Sequence, residues 1–249
     1  MTAPRVRALG SLGAVLLVAS CASSYEIPIQ TPIRAKLDVN AFQRVLVAGF
    51  IAGGSEDVDG NLETTRLLRS QLRTKSVLSV IDSDVLPLVD VATEGRPAQG
   101  EGEEPQIREE DDLEAFQHVF ANVEYWKRIG EEYQQPLIVT GTVMFTPLQT
   151  TELVQREREV YDSLGRRSVV AQRTFQERRG FSLDGRFIFI DGRDGTTLHS
   201  EAFGEQILYS ANTTIPALSS YFELMDRLIP GFLSTLSSQS IRGTRVLLN

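Results

Sequence analysis

Leu137-Ile138-Val139-Thr140-Gly141-Thr142-Val143-Met144-Phe145 is the stretch that decides the fold. Both of its alternating faces are apolar or β-branched, a pattern typical of a strand that is buried on both sides. A second run, Val45 to Phe50, is continuously apolar and predicts another buried strand. We therefore expect the stretch at 137–145 to lie in the middle of a sheet.

The segments around these two strands complete the fold class. Apolar residues at three- and four-residue steps predict helices over 62–73, from Leu113 to Pro136, and over 215–236 with an interruption at Pro230-Gly231. Further strands are expected at 77–81, 181–191 and 196–206, the last two joined by a tight turn at Asp191–Gly195. The chain is predicted to be α+β, with a mixed sheet packed with helices and a long polar β-hairpin.

The predicted polar hairpin spans residues 152–179. Charged and long polar side chains alternate from Glu152 to Tyr161, the turn is expected at Asp162–Gly165, and residues 168–179 return in the same style. Both faces of such a hairpin would be exposed to water. A helix over 151–161 is the alternative that the same residues leave open.

The N-terminus has the organisation of a secretory signal. Arg5 and Arg7 precede the uncharged and mostly apolar segment 8–19, which is shorter than the roughly 20 residues of a membrane-spanning helix. Val18-Ala19-Ser20-Cys21 follows and contains the only cysteine, so no intramolecular disulfide can form. A buried or incidental cysteine is the alternative reading.

This tetrapeptide resembles the lipobox of bacterial lipoproteins. The resemblance implies that residues 1–20 are a signal peptide, that cleavage falls between Ser20 and Cys21, and that Cys21 is acylated, palmitate being one such chain. Two or more acyl chains give a durable hold on a membrane. Ala22 is not the aspartate associated with inner-membrane retention, so we expect a lipid-anchored protein of the cell outer membrane that faces the periplasm.

The rest of the chain divides into a tether and a folded body. Pro28 and Pro32 favour an extended, weakly structured tether over 21–43, and the body is expected over 44–249. A disordered acidic insertion is predicted near 90–112, where carboxylates crowd and apolar residues are few. The net charge of −8 becomes −10 without Arg5 and Arg7, which argues against nucleic acid as a partner.

None of the candidate catalytic or metal-binding motifs has the residue spacing that its chemistry requires. Gly49, Gly53 and Gly54 lack the Gly-Lys-Ser/Thr of a phosphate loop. The Asp57, Asp59, Asn61 pattern lacks the glycine and the closing glutamate of a calcium loop. His118 and His199 have no partner in any motif. We predict no catalytic residue, no metal and no cofactor.

The order of elements, the Ile-Asp after the short strand and the stretch Ile138-Val139-Thr140-Gly141-Thr142-Val143 resemble the periplasmic CsgG-like family, which includes CsgG, LpoB and the N-terminal domain of TolB. The resemblance covers roughly 44–84 and 113–236. It implies a lipoprotein domain that works through protein contacts. CsgG inserts hairpins into a membrane pore, but residues 152–179 carry charge on both alternations. A charge facing lipid costs about 2–4 kcal/mol at mid-membrane, so we expect a periplasmic domain.

Three functions follow in decreasing order of support. The first is a non-catalytic assembly or adaptor lipoprotein whose partners are other envelope proteins and, through the lipid, the membrane. The second is a subunit of a homo-oligomeric secretion pore, in which the hairpin inserts only after oligomerisation. An envelope hydrolase is third, because no nucleophile motif supports it.

Overall fold

The computed structural model describes residues 24–93, 107–213 and 215–248. Residues 34–239 form one compact unit, and the strands at the two ends of the chain belong to a second. The helices and strands are β1 (Ser24–Ile33), β2 (Arg44–Gly54), α1 (Gly60–Lys75), β3 (Ser79–Val80), α2 (Leu88–Thr93), α3 (Glu110–Glu114), α4 (Gln117–Phe120), α5 (Val123–Glu132), β4 (Leu137–Tyr161), β5 (Arg167–Asp191), β6 (Thr197–Ser210), α6 (Ala217–Leu236) and β7 (Gln239–Leu248).

The main unit is built on a five-stranded mixed sheet with the order β3-β2-β4-β5-β6. Strand β2 pairs in parallel with β3 and β4, whereas β4, β5 and β6 pair antiparallel. The stretch at 137–145 is the first part of β4 and lies at the centre of the sheet. The predicted α+β class, including the long β-hairpin, is therefore confirmed.

Two hydrophobic clusters form because alternate side chains of β2 and β4 point to opposite faces. Val45 and Val47 pack with residues of α1 and α6, whereas Leu46 and Ala48 pack with residues of α2 to α5. At the centre of the second cluster, the fully buried Trp126 also donates its indole N–H to a backbone carbonyl at 2.9 Å. Burial on both faces explains why the central strands read as continuous apolar runs.

The helix predicted from Leu113 to Pro136 is wrong as a single element. The chain instead forms the three short helices α3, α4 and α5. The Asn122 side chain accepts the N–H of Tyr125 at 3.1 Å and so starts α5 as a new helix. Gln134 and Gln135 then adopt positive φ angles and end this region before β4.

The interruption predicted at Pro230-Gly231 is also wrong, because α6 continues from Ala217 to Leu236 with Pro230 inside it. Pro230 lies on the exposed side of the helix. Gly231 lies where a side chain would collide with a ring: a Cβ there would be 2.6 Å from the ring of Phe203. The glycine allows α6 to pack closely on β6 despite the neighbouring proline.

The ends of the body differ from expectation. The unit begins before residue 44, because Val39 and Phe42 are buried and the Leu37 N–H donates to the Thr235 carbonyl at 2.9 Å. Residues 24–33, expected to be an extended tether, form β1, which pairs with β7 in a two-stranded sheet of their own. Strand β7 was not predicted.

The acidic insertion expected near 90–112 is folded at both edges. Residues 90–93 belong to α2, where Ala92 is buried, and Ile107 is buried just before α3. The acidic residues 110–112 form the first turn of α3, where negative charge is favourable beside the helix N-terminus. Residues 94–106 lie outside the described part of the chain.

Helix α5 and the turn between β5 and β6 meet backbone to backbone. A Cβ on Gly130 would lie 1.8 Å from the Gly192 carbonyl oxygen, and a Cβ on Gly195 would lie 2.1 Å from the Val123 carbonyl oxygen. Gly195 also has a φ of +78°, which favours glycine. The predicted tight turn is therefore also a packing surface for α5.

Substituting Gly130→Ala tests this contact, because helix propensity and the collision with Gly192 change the free energy of unfolding in opposite directions. Helix propensity alone would stabilise the chain by about 1 kcal/mol. The collision with Gly192 should instead reduce the free energy of unfolding by about 1–3 kcal/mol, measured by thermal unfolding. Gly185→Ala is the matched control, since its Cβ would meet its nearest neighbour at an ordinary 3.5 Å. A Gly130→Ala variant with a raised melting temperature would contradict the close packing.

Candidate interaction surface

The most distinctive feature is a two-stranded arm, defined as residues 149–179. The ladder between β4 and β5 runs without a bulge from Leu137↔Asp191 to Tyr161↔Arg167, so the arm continues the central sheet. Strand β2 leaves β4 at Phe145, and β6 reaches only the base of the arm, with Ser210 opposite Arg178. Among the described residues, the outer edges of the arm beyond its base have no partner strand.

Charge is distributed differently in the arm than in the whole chain. The arm contains seven arginines and five carboxylates, whereas the chain has a net charge of −8. Arg178 pairs with Glu152 at 3.5 Å, and Arg167 pairs with Glu159 across the same ladder. These pairs are exposed and contribute little stability, so the positive charge remains available to a partner.

Apolar side chains are also concentrated on the arm. Leu153 and Phe175 lie opposite each other in the ladder and are 55% and 74% exposed. Of the fourteen exposed large hydrophobic residues in the described chain, seven belong to the arm, although it is a small part of the chain. Clustered exposed apolar side chains mark interaction surfaces more often than scattered ones do.

The tip of the arm is a turn whose hydrogen bonds converge on one carboxylate. The Asp162 side chain accepts the N–H groups of Leu164 at 2.9 Å and Arg166 at 2.8 Å, and it also accepts the Arg166 guanidinium. These hydrogen bonds, led by the one from the Arg166 backbone, lower the pKa of Asp162. Gly165 supplies a positive φ of 74°. The turn displays Leu164, which is 77% exposed.

An open groove of about 450 Å³ lies on the sheet face that carries α3 and α4. We call it the acidic groove. It exists because the outward row of β6 is small at Ser200, Ala202 and Gly204. Its floor is formed by Phe120, Thr142, Met144 and Ile188, and its rim carries Glu110, Asp111, Glu114 and Asp184, with Arg186 as a single basic neighbour.

Asp184 is the carboxylate of this groove that lies on the sheet itself, in β5. A Cβ at Gly204, directly opposite in the ladder, would lie 2.5 Å from Asp184 Oδ1, so the glycine makes room for the carboxylate. Partial burial, and secondarily the negative charge of Glu110, raise the pKa of Asp184 above its ordinary value. Within the described residues, no cation pairs with Asp184.

The residues singled out from the sequence are not brought together. Ser20 and Cys21 lie outside the described residues. His118 contacts the carbonyls of Ala115 and Ala92 at 2.9 and 3.1 Å, whereas His199 contacts Glu201 at 3.3 Å. The two histidines have separate structural contacts.

The residues that imitate a calcium loop have structural roles. The Asp59 carboxylate accepts the Leu62 N–H at 2.9 Å and caps α1. The Asn61 side chain accepts the Phe50 N–H at 2.7 Å, which ties the first turn of α1 to the middle of β2. In the ranges that the structure describes, no group of three metal-ligating side chains converges.

The acidic groove was missed from the sequence. Its carboxylates come from α3 and β5, which are distant in the chain, and its shape depends on the register that places Gly204 beside Asp184. The only sequence signal was the acidic run at 109–112, which was assigned to a disordered segment.

No family model and no curated protein matches this chain. Among solved structures, it is similar to the PelC dodecamer from Paraburkholderia phytofirmans, with 15% identity, a TM-score of 0.35 and coverage of 86% of this chain and 99% of that one. It is also similar to lipoprotein GNA1162 from Neisseria meningitidis, with 11% identity, a TM-score of 0.34 and coverage of 76% and 97%. The hypothetical protein CT253 from Chlamydia trachomatis gives 9% identity, a TM-score of 0.34 and coverage of 78% and 97%. These TM-scores are too low to assign a family or a role.

Among the described residues, none of the helices is both long enough and apolar enough to span a membrane.

Replacing Asp184 tests whether the ionisation of this carboxylate lowers the stability of the folded chain. Because the pKa of Asp184 is raised in the folded chain, ionisation costs stability as the pH rises above the ordinary value of 3.8. The difference in melting temperature between Asp184→Asn and the wild type should therefore shift in favour of the variant from about pH 3 to pH 7, by no more than about 1–2 °C. Glu110→Gln should act in the same direction but less, since burial is the larger cause. A melting-temperature difference that stays constant across this pH range would contradict a raised pKa of Asp184.

Proposed function

We propose that this chain is a non-catalytic lipoprotein of the bacterial outer membrane that serves as an assembly or adaptor module in the periplasm. The observation that carries the proposal is the arm, whose strand edges and faces beyond the base are exposed. The arm is the element that would contact envelope partners, and the sheet with its two helical layers is the scaffold that holds it.

A two-stranded ribbon is an incomplete sheet with two unpaired edges. An isolated hairpin is marginally stable in water, and an exposed strand edge presents unpaired N–H and C=O groups to another chain. A partner can bind such an edge by adding a strand, with main-chain hydrogen bonds for affinity and side-chain contacts for specificity. The Leu153–Phe175 pair would supply apolar contact beside the edge.

The anchor in this proposal is acylated Cys21. The lipobox-like Val18-Ala19-Ser20-Cys21 supports it, and Ala22 supports outer-membrane placement. The observed order of strands and helices in residues 44–84 and 113–236 supports the resemblance to the CsgG-like family. A role without catalysis is supported by the separate structural contacts of His118 and His199.

The charges of the arm support an adaptor over a pore subunit. Arg156 and Arg158 project to one side of β4, whereas Glu157 and Glu159 project to the other. Neither side of the ribbon could therefore face lipid tails without desolvating charges. A ribbon that contacts proteins in water meets no such penalty.

Changing Cys21→Ser tests the anchor. Without the thiol no acyl chain can be attached, so the protein should move from the membrane pellet to the soluble envelope fraction, as measured by fractionation and immunoblotting. Ser20→Ala is a matched control that keeps a small residue before the cysteine and should remain in the pellet. A Cys21→Ser protein that still sediments fully with membranes would show that another anchor operates.

Site-specific photo-crosslinking in intact cells tests the arm. A photoreactive amino acid at Phe175 or Leu153 should give discrete crosslinked products with envelope proteins, which mass spectrometry can identify. The control position is Val77, which is also exposed and apolar but lies after α1 and outside the arm. Equal crosslinking at Val77 and at the arm positions would contradict the assignment of the arm as the contact surface.

A further inference from the structure

The tip of the arm combines one apolar side chain with two cations. Leu164 projects from the Asp162 turn, and Arg166 and Arg167 follow after Gly165. Arg166 pairs with Asp162, and Arg167 pairs with Glu159, at exposed positions. Because a guanidinium has five N–H donors, each arginine can keep its pair and still bind a further carboxylate.

The acidic groove has the complementary chemistry. Its floor is lined by the largely buried side chains of Met144, Ile188 and Phe120, and its volume of about 450 Å³ is ample for a leucine side chain. The rim carries Glu110 and Asp184, and among the described residues no cation pairs with Asp184, although Arg186 lines the same groove. A guanidinium at the rim would neutralise these carboxylates while an apolar side chain covers the floor.

The tip cannot reach the groove of its own chain. Arg167 and Asp184 belong to one unbroken strand, β5, and the ladder that joins it to β4 has no register shift between them. At about 3.3 Å per residue, the two positions are roughly 55 Å apart. Any contact between tip and groove is therefore a contact between two molecules.

We propose that Leu164 at the arm tip of one copy inserts into the acidic groove of a second copy, with Arg166 and Arg167 against Asp184 and Glu110. Opposite charge, together with an apolar tip residue that fits a groove with an apolar floor, selects a second copy of this chain as the occupant. The contact joins two different surfaces, so it is heterologous and builds closed rings or open chains. The inference extends the proposed function, because it names one partner of the arm.

A mixing experiment with two complementary variants tests this contact. Leu164→Asp replaces the apolar side chain of the tip, and Asp184→Lys reverses a charge at the groove. Both are made in the full-length acylated protein in non-ionic detergent. Sedimentation velocity should show concentration-dependent assemblies for the wild type and association weakened at least about tenfold for each variant. An equal mixture of the variants should form dimers and nothing larger, since only one intact tip and one intact groove remain per pair.

The controls separate folding and anchoring from the contact. Glu110→Lys is a second groove variant on the surface of α3, far-ultraviolet circular dichroism reports folding, and Val77→Asp should associate like the wild type. A monomeric wild type, a Leu164→Asp variant that associates normally, or a mixture that stays monomeric would each overturn the proposal. None of these outcomes alters the result expected for Cys21→Ser, so a failure of the contact is distinguishable from a failure of the anchor.

Discussion

The unbroken hydrogen-bonded ladder between β4 and β5 is the constraint on which the rest of the structure depends. Each strand has 25 residues, and one register holds from the buried core to the exposed tip. At Leu137 the ladder lies between two hydrophobic clusters, whereas at Tyr161 it is surrounded by solvent. The buried half therefore provides the stability that orients the exposed half, which could not hold a fixed direction by itself.

The same ladder separates charge within the molecule. Arg166 and Arg167 are carried to the tip of the arm, which as a whole holds seven arginines and five carboxylates, while Glu110 and Asp184 remain at the groove beside the body. The two regions are far apart along an unbroken strand, so their charges do not neutralise each other within one chain. The tip and the groove are different surfaces, so a contact between them would be head-to-tail.

The parts of the fold that could be predicted from sequence are those determined by local patterns. The continuous apolar run at 137–145 identified the central strand, and the charge alternation from Glu152 identified the hairpin. Predictions from local patterns were wrong where long-range packing or a single capping residue determines the structure. The Asn122 cap starts α5 as a separate helix, and α6 continues through Pro230, which lies on its exposed side, while Gly231 lets the helix pack closely on Phe203. The acidic groove depends on register, because only the pairing of β5 with β6 brings Gly204 beside Asp184.

Because the ladder is regular, the length of the arm can change while the body of the protein stays the same. Removing or adding matched residues in β4 and β5 beyond the base changes the length of the arm without altering any contact of the two hydrophobic clusters. Two matched pairs change the length by roughly 7 Å and leave every remaining side chain on its original face, because the side-chain period of a strand is two. Insertions and deletions in this segment can therefore tune the distance between body and tip while the scaffold stays constant.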